Sequence, residues 1–91
     1  MARRPFIAGN WKMNLSPQAA GELAASLKSA LIDETGVDVL VAPTALAIPT
    51  VVDALRHTGL MVAAQDIHPS TNGAFTSQMS GPMFREAGCS H

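Results

Sequence analysis

Three short apolar segments, separated by segments with helical periodicity, constrain the fold of this 91-residue chain more than any other feature. The apolar segments span residues 5–10, 37–42 and 60–64. A strand that is buried on both faces has this continuous apolar character, and such strands are typical of parallel sheets. We therefore predict three parallel strands with both faces of the sheet buried.

The sequence also predicts three helices, over residues 17–31, 47–56 and 80–87. In the first, apolar residues recur at three- and four-residue spacing from Ala20 to Leu31. Ser16 suits the N-cap because its side-chain oxygen can accept a hydrogen bond from a free backbone amide, and Pro17 suits the next position. The second helix begins near residue 47, since Pro49 is tolerated only in a first turn. Strands that alternate with helices in this way form right-handed βαβ units.

The sheet predicted from residues 1–91 is incomplete as a fold, because three strands leave two unpaired edges. Apolar residues make up 47% of the sequence and charged residues 14%, whereas a globular domain has roughly 25% charged residues. The chain ends at residues 88–91, where a fourth strand is expected. We therefore predict an α/β fold in which residues 1–91 form a single segment, the front portion of a larger domain.

Charge and cysteine content exclude several classes of function. The formal net charge is −1 and the six cationic side chains are scattered, which argues against binding to nucleic acid, since phosphate binding requires clustered Lys and Arg. No apolar run approaches the roughly 20 residues of a membrane span. A single cysteine, Cys89, excludes an internal disulfide and makes the cytoplasm the simplest compartment.

Metal and nucleotide sites are not indicated either. The separations of His57, His68 and His91 match no metal-ligand pattern. The glycines form neither a GxGxxG nor a GxxxxGK loop, so a Rossmann-like nucleotide-binding module is disfavoured despite the βαβ order. We predict no cofactor and no metal.

The candidate site lies at the carboxyl ends of the predicted strands, where parallel α/β folds bind their ligands. Asn10 and Lys12 come directly after the first strand, and an ammonium group there can bind a phosphate or offset negative charge on a substrate oxygen. Spacing alone leaves open a second interpretation, in which Lys12 is a solvated loop lysine. The connection over residues 65–79 is longer than a βα loop needs, and such loops are usually functional.

Four motifs, in order along the chain, resemble the triosephosphate isomerase family. They are Ala-Gly-Asn-Trp-Lys-Met-Asn at residues 8–14, Val-Ala-Pro-Thr at 41–44, Ala-Ala-Gln-Asp at 63–66 and Thr-Asn-Gly-Ala-Phe-Thr at 71–76. The resemblance implies a (β/α)8 TIM barrel. Residues 1–91 would then be an incomplete βαβαβ(α) segment from its N-terminal part, with about three βα units.

The resemblance also implies an activity. The family interconverts dihydroxyacetone phosphate and glyceraldehyde 3-phosphate in glycolysis and gluconeogenesis, without a cofactor, by proton transfer through an enediolate. Lys12 would be the catalytic lysine that holds the substrate and stabilises the enediolate charge, and Asn10 would help to bind the substrate. The residues that correspond to the interface of the full-length homodimer are Met13, Gln65, Phe75 and Thr76.

Two departures from the family pattern bear on activity. Ser77 and Gln78 stand where the family's loop continues with glycine and glutamate, which removes a carboxylate from the interface. The family's catalytic histidine and glutamate have no counterparts in these 91 residues, and His91 comes several positions too early. We therefore predict that the 91-residue polypeptide alone is inactive. An alternative hypothesis is a non-catalytic module that self-associates or complements a separate C-terminal part.

Overall fold

The structure, a computed structural model, describes residues 2–91 and contains a three-stranded parallel sheet with three α-helices. The strands are β1 (Phe6–Asn10), β2 (Asp38–Ala42) and β3 (Met61–Val62), in the order β1-β2-β3. The predicted α/β class, with parallel strands linked through helices, is confirmed.

Strand β3 is shorter than the predicted segment 60–64, because only Met61 and Val62 pair with β2 as a regular ladder. Beyond it, the Ala64 amide donates to the carbonyl oxygen of His91 at 2.9 Å, and the Ser90 amide donates to that of Val62 at 2.9 Å. The last two residues therefore lie along the free edge of β3.

The helices are α1 (Pro17–Ala30), α2 (Ile48–Ala54) and α3 (Gly81–Glu86). Helix α2 is shorter than the predicted 47–56. Residues Ala45–Ala47 form a 3₁₀ turn before it, and its C-cap, Leu55, leaves the helical conformation with a ψ of 9°.

The prediction that the side chain of Ser16 caps α1 is wrong. Ser16 is the N-cap of α1, but only its backbone carbonyl takes part, accepting from the Ala20 amide at 2.8 Å. Ser80 is the serine that caps with its side chain, since its Oγ accepts from the Met83 amide at the start of α3 at 3.4 Å.

The core lies between the helices and one face of the sheet. Its buried residues are contributed by α1, β2, the 3₁₀ turn, α2, β3 and the region of α3: Ala20, Ala24, Val41, Ala47, Ile48, Val51, Leu55, Val62, Phe84 and Cys89. A smaller cluster of Leu40, Ala42 and Ala63 lies on the other face. The core therefore joins every strand and helix except β1.

The prediction that both faces of all strands are buried is wrong for β1. Phe6 is 49% and Ile7 is 60% exposed, whereas β2 is buried from Leu40 to Ala42. The difference arises because β2 lies between two strands, while β1 is the edge strand and pairs only with β2. None of the helices formed by residues 2–91 has the length and apolar character needed to cross a bilayer.

Candidate functional site

The carboxyl ends of the three strands lie at one edge of the sheet, as parallel pairing requires. The register places Asn10 beside Ala42, and the Trp11 amide continues the ladder by donating to the Ala42 carbonyl at 3.0 Å. The indole of Trp11 packs against the main core. The chain therefore leaves β1 with Trp11 anchored inward and Lys12 exposed at the edge of the sheet.

Lys12 has an unusual backbone conformation, with a φ of 56°. A residue with a Cβ in the left-handed region carries strain of roughly 1–2 kcal/mol, and such strain concentrates at functional sites. The Lys12 amide donates to Oδ1 of Asn10 at 2.8 Å, which supports the turn. Lys12 is thus an exposed lysine on a strained turn that a side-chain hydrogen bond supports.

Gln65, which follows β3, connects the three strand ends. Its Nε2 donates to the carbonyl oxygens of both Lys12 and Ala42, each at 2.8 Å. The loops after β1 and β3 are thereby fixed to the end of β2.

A cavity of about 190 Å³ lies beside these residues. Lys12 and Met13 line it together with Thr44, Gln65 and Asp66, and with Ser77 and Gln78 from the long loop. Its lining includes one carboxylate, that of Asp66, and contains no histidine or glutamate from the described part of the chain. Lys12 is the one cationic residue that lines the cavity, and the lining residues include no acid–base pair.

The long loop after β3 is held by contacts within itself. The His68 amide donates to the Met79 carbonyl at 2.9 Å and closes its base. The ring of Phe75 stacks on that of His68 with centroids 3.9 Å apart. Gly73, at a φ of 139°, lies so close that a Cβ there would be 2.6 Å from the Phe75 ring. Contacts within the loop thus support its shape, and Thr76 is exposed to solvent.

The residues predicted for an interface fall into two groups. Met13, which is 93% exposed, and Gln65 line the cavity beside Lys12. Phe75 and Thr76 lie on the long loop. The structure therefore places Asn10, Lys12, Met13 and Gln65 together, and Phe75 and Thr76 on a neighbouring element.

The three histidines do not converge. His57 lines a separate cavity with Arg4 and Asp38, His68 packs within the long loop, and the ring of His91 lies 6.1 Å from that of Phe6. Within residues 2–91, no group of three His, Cys, Asp or Glu side chains is placed to hold a metal ion.

The Cys89 thiol is not placed to act as a nucleophile. Burial raises the pKa of this thiol above its ordinary value, and only the thiolate is strongly nucleophilic. Its side chain packs in the core beside Phe84, which agrees with the interpretation of a small buried thiol.

Sequence reasoning missed the left-handed conformation of Lys12 and the bridging role of Gln65. The Gln65–Lys12 bond joins positions 53 residues apart, and no local pattern encodes such a pairing. The only available signal is that both residues directly follow strands of one parallel sheet.

Comparison with known proteins gives consistent matches. The family model described as triosephosphate isomerase matches residues 5–91. The triosephosphate isomerase of Trichlorobacter lovleyi is 43% identical over 89 residues, which are 98% of this chain and 36% of that protein. That of Syntrophotalea carbinolica is 41% identical over 87 residues, 96% of this chain and 34% of that protein.

A solved structure agrees with these matches. The crystal structure of triosephosphate isomerase from Bartonella henselae superposes with a TM-score of 0.85 and 34% sequence identity, over 98% of this chain and 36% of that one. The chain described here spans about a third of the length of the curated relatives that it matches.

Proposed function

The chain belongs to the triosephosphate isomerase family, and from this premise we propose that it supplies the lysine of a triose-phosphate isomerase site. The reaction interconverts dihydroxyacetone phosphate and glyceraldehyde 3-phosphate by moving a proton between adjacent carbons through an enediolate. The observation that carries the proposal is the strained Lys12, held at the carboxyl edge of the sheet by Asn10 and Gln65.

Lys12 and Asn10 serve the reaction by charge and position. Lys12 is exposed and lines an open cavity, where its ammonium group would bind the phosphate and stabilise negative charge that develops on the substrate oxygen. Asn10 fixes the turn that presents it, since its Oδ1 accepts from the Lys12 amide. A preorganised cation of this kind stabilises the transition state without further movement of the chain.

Proton transfer needs groups that the described cavity does not contain. The family's reaction uses a glutamate base and a neutral histidine, and a positioned acid or base typically contributes about 10²–10⁴-fold to the rate. The cavity beside Lys12 offers only the carboxylate of Asp66 among residues 2–91. We therefore expect the 91-residue polypeptide alone to bind a triose phosphate without converting it.

The long loop and the cavity beside Lys12 are proposed to meet in a homodimer of the full-length enzyme. Thr76 and Phe75 of one subunit would approach Met13 and Gln65 of the other. Gln78 supplies no carboxylate to this contact, so an ion pair at this position is not available.

We also propose that the protein acts in the cytoplasm, where cysteine thiols stay reduced, and Cys89 is a free thiol.

A second candidate function is that of a non-catalytic assembly module. The exposed edge strand β1, with Phe6 and Ile7 more than 45% exposed, favours it. Such a module would self-associate or complete a barrel with a separate C-terminal part.

The proposed function is tested with a chimera in which residues 1–91 replace the matching third of the Bartonella henselae enzyme. We expect this chimera to isomerise triose phosphate in a coupled assay, whereas the isolated 91-residue polypeptide shows no turnover above buffer. Lys12→Ala should abolish the activity of the chimera. Lys28→Ala, in the last turn of α1 and outside the cavity beside Lys12, should leave that activity unchanged.

Two results would contradict the proposal. The first is a folded chimera that lacks activity, and the second is a chimera whose activity survives Lys12→Ala. Turnover that is proportional to the amount of the isolated polypeptide would contradict the expected inactivity of the chain alone.

A further inference from the structure

We propose that Gln65 is a positioning residue that holds Lys12 in its left-handed backbone conformation by donating both hydrogens of its side-chain amide to carbonyl oxygens of the chain. The inference deepens the proposed function, because the ammonium group that Gln65 would orient is the one proposed to bind substrate. Sequence reasoning assigned Gln65 only to a subunit interface.

The two peptide groups that flank the Lys12 Cα are both anchored. On one side, the Lys12 amide donates to Oδ1 of Asn10 at 2.8 Å. On the other side, the Lys12 carbonyl accepts from Nε2 of Gln65 at 2.8 Å. The dihedral angles φ and ψ are the rotations between these two peptide planes, so fixing both planes fixes the conformation of Lys12.

The anchor on the carbonyl side is itself held in place. The second hydrogen of Nε2 is donated to the carbonyl of Ala42, the last residue of the buried central strand, at 2.8 Å. A side-chain amide has two hydrogens to donate, and both are used here. Gln65 therefore transmits the position of the sheet to the Lys12 loop, and only its Oε1 remains available to a partner subunit.

Glutamine is the residue type that this arrangement requires. A carboxylate of the same length has no hydrogen to donate at neutral pH and would face two carbonyl oxygens. Leucine has a comparable size but no polar atoms. Substituting Gln65 by glutamate or leucine therefore distinguishes the effect of its hydrogen bonds from the effect of its packing volume.

The test is an NMR measurement of the backbone of the 91-residue chain. The one-bond coupling between Cα and Hα of Lys12 reports the sign of its φ. We expect Gln65→Leu to abolish the left-handed signature at Lys12 while the methyl signals of Val41 and Val51 in the core stay unchanged. Gln18→Leu, the same substitution on the exposed surface of α1, should leave the Lys12 signature intact.

A second variant distinguishes hydrogen bonding from packing. Gln65→Glu should lose the signature at neutral pH. It should regain part of it near pH 3, because a protonated carboxyl group donates one hydrogen. Gln65→Leu should show no recovery at the same pH. A loss in Gln65→Glu that acid does not reverse would contradict the donor role.

The proposal is overturned if Lys12 keeps its positive φ in Gln65→Leu. Where Gln65→Leu fails to fold, the test moves to the Lys12→Gly background, since glycine adopts positive φ without strain. Folding that is rescued there supports the proposal, and folding that is not rescued overturns it. The coupling is measured without substrate, so an inactive chimera that retains a left-handed Lys12 would contradict the proposed function and not the role of Gln65.

Discussion

At the scale of the residue, four residues other than glycine adopt a left-handed backbone conformation within the described part of the chain. They are Lys12, Leu15, His57 and Ser77. His57 follows the end of α2, where this conformation is common. Lys12 and Leu15 lie in the loop after β1, and Ser77 lies in the long loop that reaches the same cavity. Strain of this kind therefore concentrates around the candidate site, as functional sites often show.

Ser77 provides a direct measure of that strain. It has a φ of 67° and stands where the family's loop continues with glycine. Because glycine takes this conformation freely, we expect Ser77→Gly to raise the free energy of unfolding by about 1 kcal/mol. The measurement is the midpoint of urea unfolding at constant slope.

The control for this prediction is Ser77→Ala, which removes the hydroxyl group and keeps the Cβ. It should leave the unfolding midpoint close to that of the parent chain, because the strain originates at the Cβ. Equal midpoints for Ser77→Gly and Ser77→Ala would show that the backbone of Ser77 is not strained.

Single residues differ in how far the sequence predicts their role. The place of Asn10 and Lys12 at the carboxyl edge of the sheet was predictable, because both lie at the end of an apolar segment that forms a strand. The conformation of Lys12 was not predictable, because it depends on Gln65, which lies 53 positions further along the chain. The stacking of Phe75 on His68 was hidden for a similar reason, since it depends on how the loop closes.

At the scale of the element, helix α3 ends in a hydrogen-bonded motif built around a glycine. The Cys89 amide donates to the Phe84 carbonyl and the Gly88 amide to the Arg85 carbonyl, each at 3.0 Å. This is the Schellman arrangement, which uses a left-handed residue after the helix. Gly88 is that residue, with a φ of 111°.

Gly88 also lies against a side chain of α2. A Cβ at this position would lie 2.5 Å from Cγ1 of Val52. We therefore expect Gly88→Ala to lower the free energy of unfolding by about 2 kcal/mol or more, through backbone strain and overpacking together. Thermal or urea unfolding followed by circular dichroism measures this loss.

Two variants separate the causes of that loss. Gly59→Ala is the matched control, because a Cβ at Gly59 meets no atom within 4 Å, and its effect should stay within about 0.5 kcal/mol. Combining Gly88→Ala with Val52→Ala should destabilise the chain by less than the sum of the two single changes, since the clash is removed. Strict additivity would argue against contact between these two positions.

The elements themselves were predictable where local patterns dominate. The 3.6-residue periodicity of α1 and the apolar character of β1 and β2 locate these elements to within one or two residues. The length of β3 was misjudged, because its register with β2 is set by tertiary packing. The apolar sequence of β1 led to the wrong prediction that both its faces are buried, since burial depends on neighbouring elements that the strand pattern does not specify.

At the scale of the whole molecule, an open parallel sheet with an apolar edge strand explains the low charge of the sequence. Strand β1 pairs on one side only and leaves Phe6 and Ile7 largely exposed. An exposed edge of this kind is a template for pairing with another chain. In a complete barrel every strand edge is paired, so the same surface would be buried there.

This geometry predicts that the 91-residue polypeptide associates with itself through β1. Analytical size-exclusion chromatography over a range of concentrations should therefore show species larger than a monomer. Ile7→Lys, which places a charge on the exposed edge strand, should shift the population to the monomer because edge lysines oppose strand pairing. Ile32→Lys is the matched control, since Ile32 is 69% exposed but lies outside the sheet, and it should leave association unchanged. If the unmodified 91-residue chain stays monomeric at all concentrations, the proposal that it is a non-catalytic assembly module loses its support. That result would leave the isomerase proposal, which rests on Lys12 and its anchors, in place.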